Sequence, residues 1–118
     1  MSLQISQQSP DFSTAPQISV EDIEEIARLG FKTIINNRPD NEGGASQQTS
    51  EQIKAGAEKL GLAYFYIPII PNNIQSAQID AFSIAYANAA KPILGFCRTG
   101  NRASSILKLA LANSNVLK

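Results

Sequence analysis

The chain has no histidine and a single cysteine, and its ten basic side chains are cancelled by ten acidic ones. Each shortage excludes a class of chemistry. Without histidine there is no Ser-His-Asp triad, no Cys-His pair and no histidine-ligated metal. Proton transfer is left to carboxylates, lysine, tyrosine, water or the thiol itself. One cysteine can form neither an intrachain disulfide nor a cysteine-rich zinc site, and nothing in the sequence implies a metal or organic cofactor. A balanced charge argues against non-specific binding to nucleic acid or to acidic membranes, both of which need a large positive excess. No apolar run approaches the length of a membrane span. The first residues, MSLQISQQSPDFS, contain no basic segment followed by an apolar one, so the expectation is a cytoplasmic chain without a signal peptide.

What is present reads as one domain of 118 residues. Residues 1–16 are polar and hold Pro10 and Pro16. They read as an N-terminal arm, mobile or pairing as an edge strand near Ile5 or Gln17, ahead of a domain from 17 to 118. Ser19 with Asp22 predicts a helix start; Val20, Ile23, Ile26 and Ala27 give it an apolar stripe, and Gly30 a stop. FKTIIN, residues 31–36, predicts a strand, and NRPDNEGGASQQ, 37–48, a polar loop. A second helix runs from Thr49 or Ser50 to Leu60, and AYFYIPII, 63–70, is a second strand. A third helix spans about 76–88, with Ile79, Phe82, Ile84, Ala85 and Tyr86 on its apolar side. ILGFC, 93–97, is a buried strand, and RASSILKLALAN begins a last helix packed through Ile106, Leu107, Leu109 and Ala110. Alternating strands and helices predict an α/β fold with a mostly parallel central sheet covered on both faces. Ligands of such sheets bind beyond the carboxyl ends of the strands. Cys97 ends one strand there, and the RPDNE loop follows another.

The segment PILGFCRTGNRAS, 92–104, holds the one cysteine between an apolar strand and a helix. The thiolate is the reactive form of cysteine and needs stabilising. Three sources converge on it. The loop feeds a helix N-terminus, which favours negative charge. Gly100 lets successive N–H groups turn inward as an anion nest. Arg98 and Arg102 supply guanidinium forks matched to phosphate-like oxygens.

CRTGNRAS resembles the active loop of rhodanese-type sulfurtransferases, which begins with the cysteine that becomes a persulfide. GFKTIINNRPDNE, GLAYFYIPI and PILGFCRTGNRA together resemble the dual-specificity-phosphatase-like domain of the beta-lactamase-hydrolase-like protein family (DUF442), from about Phe12 to Ala112. That resemblance implies a protein-tyrosine-phosphatase-like fold and a cysteine–arginine anion loop. The sequence departs from the usual phosphatase signature in four places. Four residues rather than five separate Cys97 from Arg102, Phe96 stands in place of histidine, Ala103 in place of a hydroxyl residue, and Pro71, Asn72 and Asn73 where an acidic residue is common.

Three readings stay open. In the first, a hydrolase, Cys97 attacks phosphorus to form a cysteinyl-phosphate. Arg102 and the amides of 98–102 hold the oxygens, and Asp40 serves the leaving group, with Glu42 and Asp80 as weaker candidates. Arg98, Thr99, Gly100, Asn101 and Arg38 would contact the substrate. In the second, a sulfurtransferase, Cys97 carries a sulfane sulfur and needs no general acid. In the third, the loop only binds anions. The partner in each case is a small anionic or phosphorylated molecule; the sequence does not fix the oligomeric state, and a homodimer is compatible with it.

Overall fold

In the computed structural model, residues 3–113 are described. β-Branched and aromatic residues, which pack well on a pleated surface, recur in the inner and far strands, as in TIIN and AYFY. The elements are β1 (Ser6–Ser9), β2 (Phe12–Ala15), a 3-10 turn (Val20–Asp22) leading into α1 (Ile23–Arg28), β3 (Thr33–Asn36), α2 (Ser50–Lys59), β4 (Ala63–Tyr66), α3 (Ser76–Asn88), β5 (Ile93–Phe96) and α4 (Asn101–Asn113). The strands form one sheet in the order β1-β2-β5-β3-β4. Only β1 runs antiparallel to its neighbour; the β2–β5, β5–β3 and β3–β4 pairs are parallel. The expected α/β architecture is therefore the observed one.

The alternating side chains of each strand face opposite ways, and this builds two cores. Ile34, Leu94 and Phe96 join Ile23, Ile26 and Ile53 on one face, under α1 and α2. Ile35 and Ile93 join Phe12, Phe82, Ile106 and Leu107 on the other, under α3 and α4. All four residues of β5 are buried. The last strand in the chain is thus the middle of the sheet, and Cys97 leaves from its carboxyl end.

Three expectations are corrected. Residues 6–15 are not an arm separate from a domain at 17–118. β1 is the edge strand, but β2 is an inner strand, fully buried, paired from Phe12↔Ile93 to Ala15↔Phe96. The strand expected over 63–70 stops at Tyr66. Pro68 has no N–H for a ladder, and the chain continues instead as a strap whose Ile67 and Ile69 amides bond the carbonyls of Asn36 and Asn37. Ile84 and Leu109 are exposed, at 61% and 42%. Ile84 lies two positions from Phe82, a spacing that points away from the face Phe82 buries.

Candidate active site

Parallel pairing brings three strand ends together. The Asn37 amide bonds the carbonyl of Phe96 at 2.8 Å, and the Gln17 amide bonds that of Arg98 at 3.2 Å. The segments after β2, β3 and β5 therefore meet at one end of the sheet, around Cys97. The cysteine is fully buried. The N–H of Gly100 donates to its Sγ at 3.0 Å. Gly100 has φ +96°, a left-handed conformation that glycine adopts without strain. It turns the loop back onto the sulfur immediately before α4 begins at Asn101. A helix N-terminus thus faces the thiol, where backbone dipoles favour an anion.

Arg102, in the first turn of α4, is fixed from two sides. Its Nη1 donates to Glu42 Oε2 and to the Ile69 carbonyl, both at 2.8 Å, and its Nη2 donates to Glu42 Oε1 at 2.8 Å. A guanidinium has five N–H donors. The carboxylate and the carbonyl use three, which leaves the Nε–H and one Nη2–H. These are the paired donors of a fork edge, the arrangement that takes two oxygens of a phosphate. The guanidinium also lies near Cys97. Its pKa is raised chiefly by the Glu42 hydrogen bond, with the sulfur adding in the same direction.

Glu42 is the hub beneath that arginine. Besides Arg102 it accepts from Arg38 Nε at 3.0 Å. The Arg102 hydrogen bond, and after it Arg38, hold its carboxyl below the usual carboxylate range, against a desolvation that pushes it up. Arg38, expected to touch substrate, is instead a buried strut. Its Nη1 donates to Gln17 at 3.0 Å, and its Nη2 lies where a Cβ on Gly43 would come within 2.7 Å.

Asp40 is likewise tied into the scaffold. Its Oδ1 accepts from the amide of Ser50 at 2.7 Å, and its own amide donates to the Tyr66 hydroxyl at 2.9 Å. It satisfies one of the unpaired N–H groups that open α2, the turn role that Pro-Asp chemistry allows. Asp80 is exposed on α3. Of the carboxylates considered, only Glu42 joins Arg102.

Thr99 and Asn101 are exposed, with Thr99 Oγ1 accepting the Asn101 amide at 3.3 Å. Together with Arg98, Arg102, Asn72 and Ser105 they line a hollow of about 550 Å³. A second hollow, of about 510 Å³, lies on the far side of Arg98 and Thr99, against Ser6, Thr14 and Pro16. Reasoning from the sequence missed the Ile69 carbonyl and Gln17, since no motif marks a backbone acceptor or a lone glutamine. The i,i+4 spacing of Arg38 and Glu42 is the one signal that pointed to the bridge.

A mostly parallel sheet ending in a cysteine–arginine loop against a helix N-terminus gives the chain a protein-tyrosine-phosphatase-like fold. The chain belongs to the family of the beta-lactamase hydrolase-like protein, phosphatase-like domain, whose model matches residues 4–114. That match takes in the segment first read as an arm. A beta-lactamase hydrolase-like protein of Agrobacterium fabrum is 37% identical over 99 residues, covering 83% of this chain and 22% of the relative. The chain thus spans about a fifth of the length of the curated relatives it matches. The crystal structure of a candidate phosphatase from Neisseria meningitidis superposes with a TM-score of 0.82 at 37% identity, over 92% of this chain and 76% of that one. At 16% identity the structure of Tk-PTP, TM-score 0.73 over 94% of this chain and 72% of that one, shares the fold.

Proposed function

We propose that the chain is a cysteine-dependent phosphatase. Cys97 attacks phosphorus as the thiolate, and the amides of 98–102 with the free edge of Arg102 hold the phosphoryl oxygens through the transfer. Water then hydrolyses the cysteinyl-phosphate. Glu42 and the Ile69 carbonyl keep Arg102 in place. The observation that carries the reading is the convergence on one sulfur of an N–H donor at 3.0 Å and an arginine with two N–H groups not taken up by Glu42 or Ile69. Membership of a phosphatase-like family supports it.

The ligand is a small phosphorylated molecule bound at Arg98, Thr99, Gly100, Asn101 and Arg102. A mechanism that depends on one free thiol suits a reducing compartment, and we assign it to the cytoplasm. Among the described residues no helix is long and apolar enough to cross a membrane.

The deciding assay is hydrolysis of p-nitrophenyl phosphate. Wild type should turn over, Cys97→Ser should not, and Arg102→Ala should lose about 10²–10³-fold in kcat, the cost of removing a key oxyanion donor. Activity that survives in Cys97→Ser would overturn the mechanism. The sulfurtransferase reading shares the short cysteine loop, so the same preparation should be given thiosulfate and cyanide. Thiocyanate release with a one-sulfur mass gain on Cys97, and no phosphate release, would replace the phosphatase reading.

A further inference from the structure

We propose that Gln17 is a positioning residue that fixes the cysteine loop at both ends. Its backbone holds the peptide between Arg98 and Thr99, and its side chain holds, through Arg38 and Glu42, the guanidinium of Arg102. This rests on the cysteine-phosphatase reading above and gives that site a support from outside the loop.

The hydrogen bonds form a closed circuit. At one end, the Gln17 amide donates to the Arg98 carbonyl at 3.2 Å. In a trans peptide the carbonyl and the following N–H point opposite ways. Holding that carbonyl therefore also sets the direction of the Thr99 N–H, one of the amides assigned to the phosphoryl oxygens. At the other end, Arg38 Nη1 donates to Gln17 Oε1 and Arg38 Nε to Glu42 Oε1, both at 3.0 Å. Glu42 accepts from Nη1 and Nη2 of Arg102, each at 2.8 Å. The loop from Arg98 to Arg102 is the remaining arc. Arg38 passes the link through two donors of one rigid plane, so a shift of the Gln17 oxygen turns that plane and carries Glu42 with it.

The surroundings hold both side chains in that arrangement. Gln17 Nε2 donates to the Ile18 carbonyl at 2.7 Å, which leaves Oε1 for Arg38; a guanidinium only donates, so the oxygen must face it. Arg38 is closely packed. Its side chain is 10% exposed, and a Cβ on Gly43 would come within 2.7 Å of its Nη2. Gln17 itself is not placed to touch substrate. It lines neither of the hollows that Arg98 and Thr99 share. It borders a separate one of about 520 Å³, with Glu21, Asp22 and Gln47. Its effect on the site therefore runs through the residues it holds.

The test is Gln17→Met, which fills similar space but offers Arg38 only a weak acceptor. Against p-nitrophenyl phosphate its kcat should fall by about 10–100-fold, the scale of a displaced site, with KM changed by less than about threefold. Calorimetric titration separates positioning from folding. Vanadate adopts the five-coordinate geometry of phosphoryl transfer, and its binding should weaken by about the factor lost from kcat/KM. Inorganic phosphate lacks that geometry, and its binding should weaken by less than about threefold. Equal weakening of both anions, or of neither, would overturn the proposal. In an Arg38→Met background the added Gln17→Met should cost little more, because the two residues act in one chain; a full second loss would sink the link. Should Gln17→Met and Gln17→Leu both lose a cooperative melt, the residue belongs to the fold and the proposal fails. A wild type inert to p-nitrophenyl phosphate defeats the phosphatase reading itself, and the two anion titrations then decide the role of Gln17 on their own.

Discussion

Glu42 joins two arginines from different parts of the chain, and its behaviour with pH follows from that position. Its side chain is 21% exposed and those of Arg38 and Arg102 are 10% and 11% exposed, so solvent screens the bridge only partly. The arginines lower its pKa in the folded protein; the unfolded chain therefore holds that proton more tightly than the native state. The bridge stabilises the fold above the unfolded carboxylate value of about 4.3 and loses that contribution as pH falls from there through the lowered native value. Glu42→Gln should reduce Tm at pH 7, and the gap to wild type should shrink below about pH 4. Thermal melts by circular dichroism across that window check it; a constant gap would mean that Glu42 acts through packing alone. Asp40 is the contrasting carboxylate. Asp40→Ala should cost about 1 kcal/mol of stability, as removal of a helix-start acceptor does, while kcat on p-nitrophenyl phosphate changes little. A large fall in kcat with unchanged Tm would return Asp40 to the chemistry.

Among the elements, β5 sets the position of the sulfur, and Gly95 sets how closely β5 can be covered. A Cβ at Gly95 would come within 2.7 Å of Phe12 Cζ and 3.5 Å of the Ala103 Cβ. Ala103, fully buried, lies against the same glycine. Gly95→Ala should destabilise by about 1–3 kcal/mol through overpacking, and Phe12→Leu in the same chain should recover part of the loss; urea denaturation of the three variants measures both effects. This level also separates what could be read in the sequence from what could not. TIIN, ILGF and the cysteine loop were legible because the signal in each is local: a β-branched or apolar run, then glycine and arginine before a helix. The bridge was not, because Arg102 and Glu42 are 60 positions apart and no local pattern encodes a meeting made by sheet register. β2 was hidden for another reason. Its Ser13 and Thr14 are polar yet buried, at 6% and 4% exposure, so composition hid a strand whose burial comes from pairing with β5.

At the scale of the molecule, the sheet puts β5, which leads into Cys97, in the centre and closes one side of it with β2 and β1. Four parallel strands end at Cys97's end of the sheet, and two of them, β2 and β3, flank β5. Removing β2 would strip the hydrogen-bonding edge of β5 from Ile93 to Phe96 and uncover Phe12's place in the core under α3, where its ring packs edge-on against Phe82 with centroids 5.7 Å apart. The lost burial of Phe12 alone amounts to about 1.5–3 kcal/mol, set against a total stability of about 5–15 kcal/mol for a domain of this kind. Four residues of parallel pairing go with it, together with the Ser6, Thr14 and Pro16 wall of the smaller hollow. A chain begun at Gln17 should therefore fail to fold cooperatively, with no sharp thermal transition and no oxyanion binding. A chain begun at Gln8, which sacrifices half of the edge strand but keeps β2, should retain a transition. Gel filtration and thermal melts of the two truncations decide the matter. If the shorter chain melts within a few degrees of the full one, the first strands are an accessory to the sheet and the cysteine loop is supported from α4 and β3 alone.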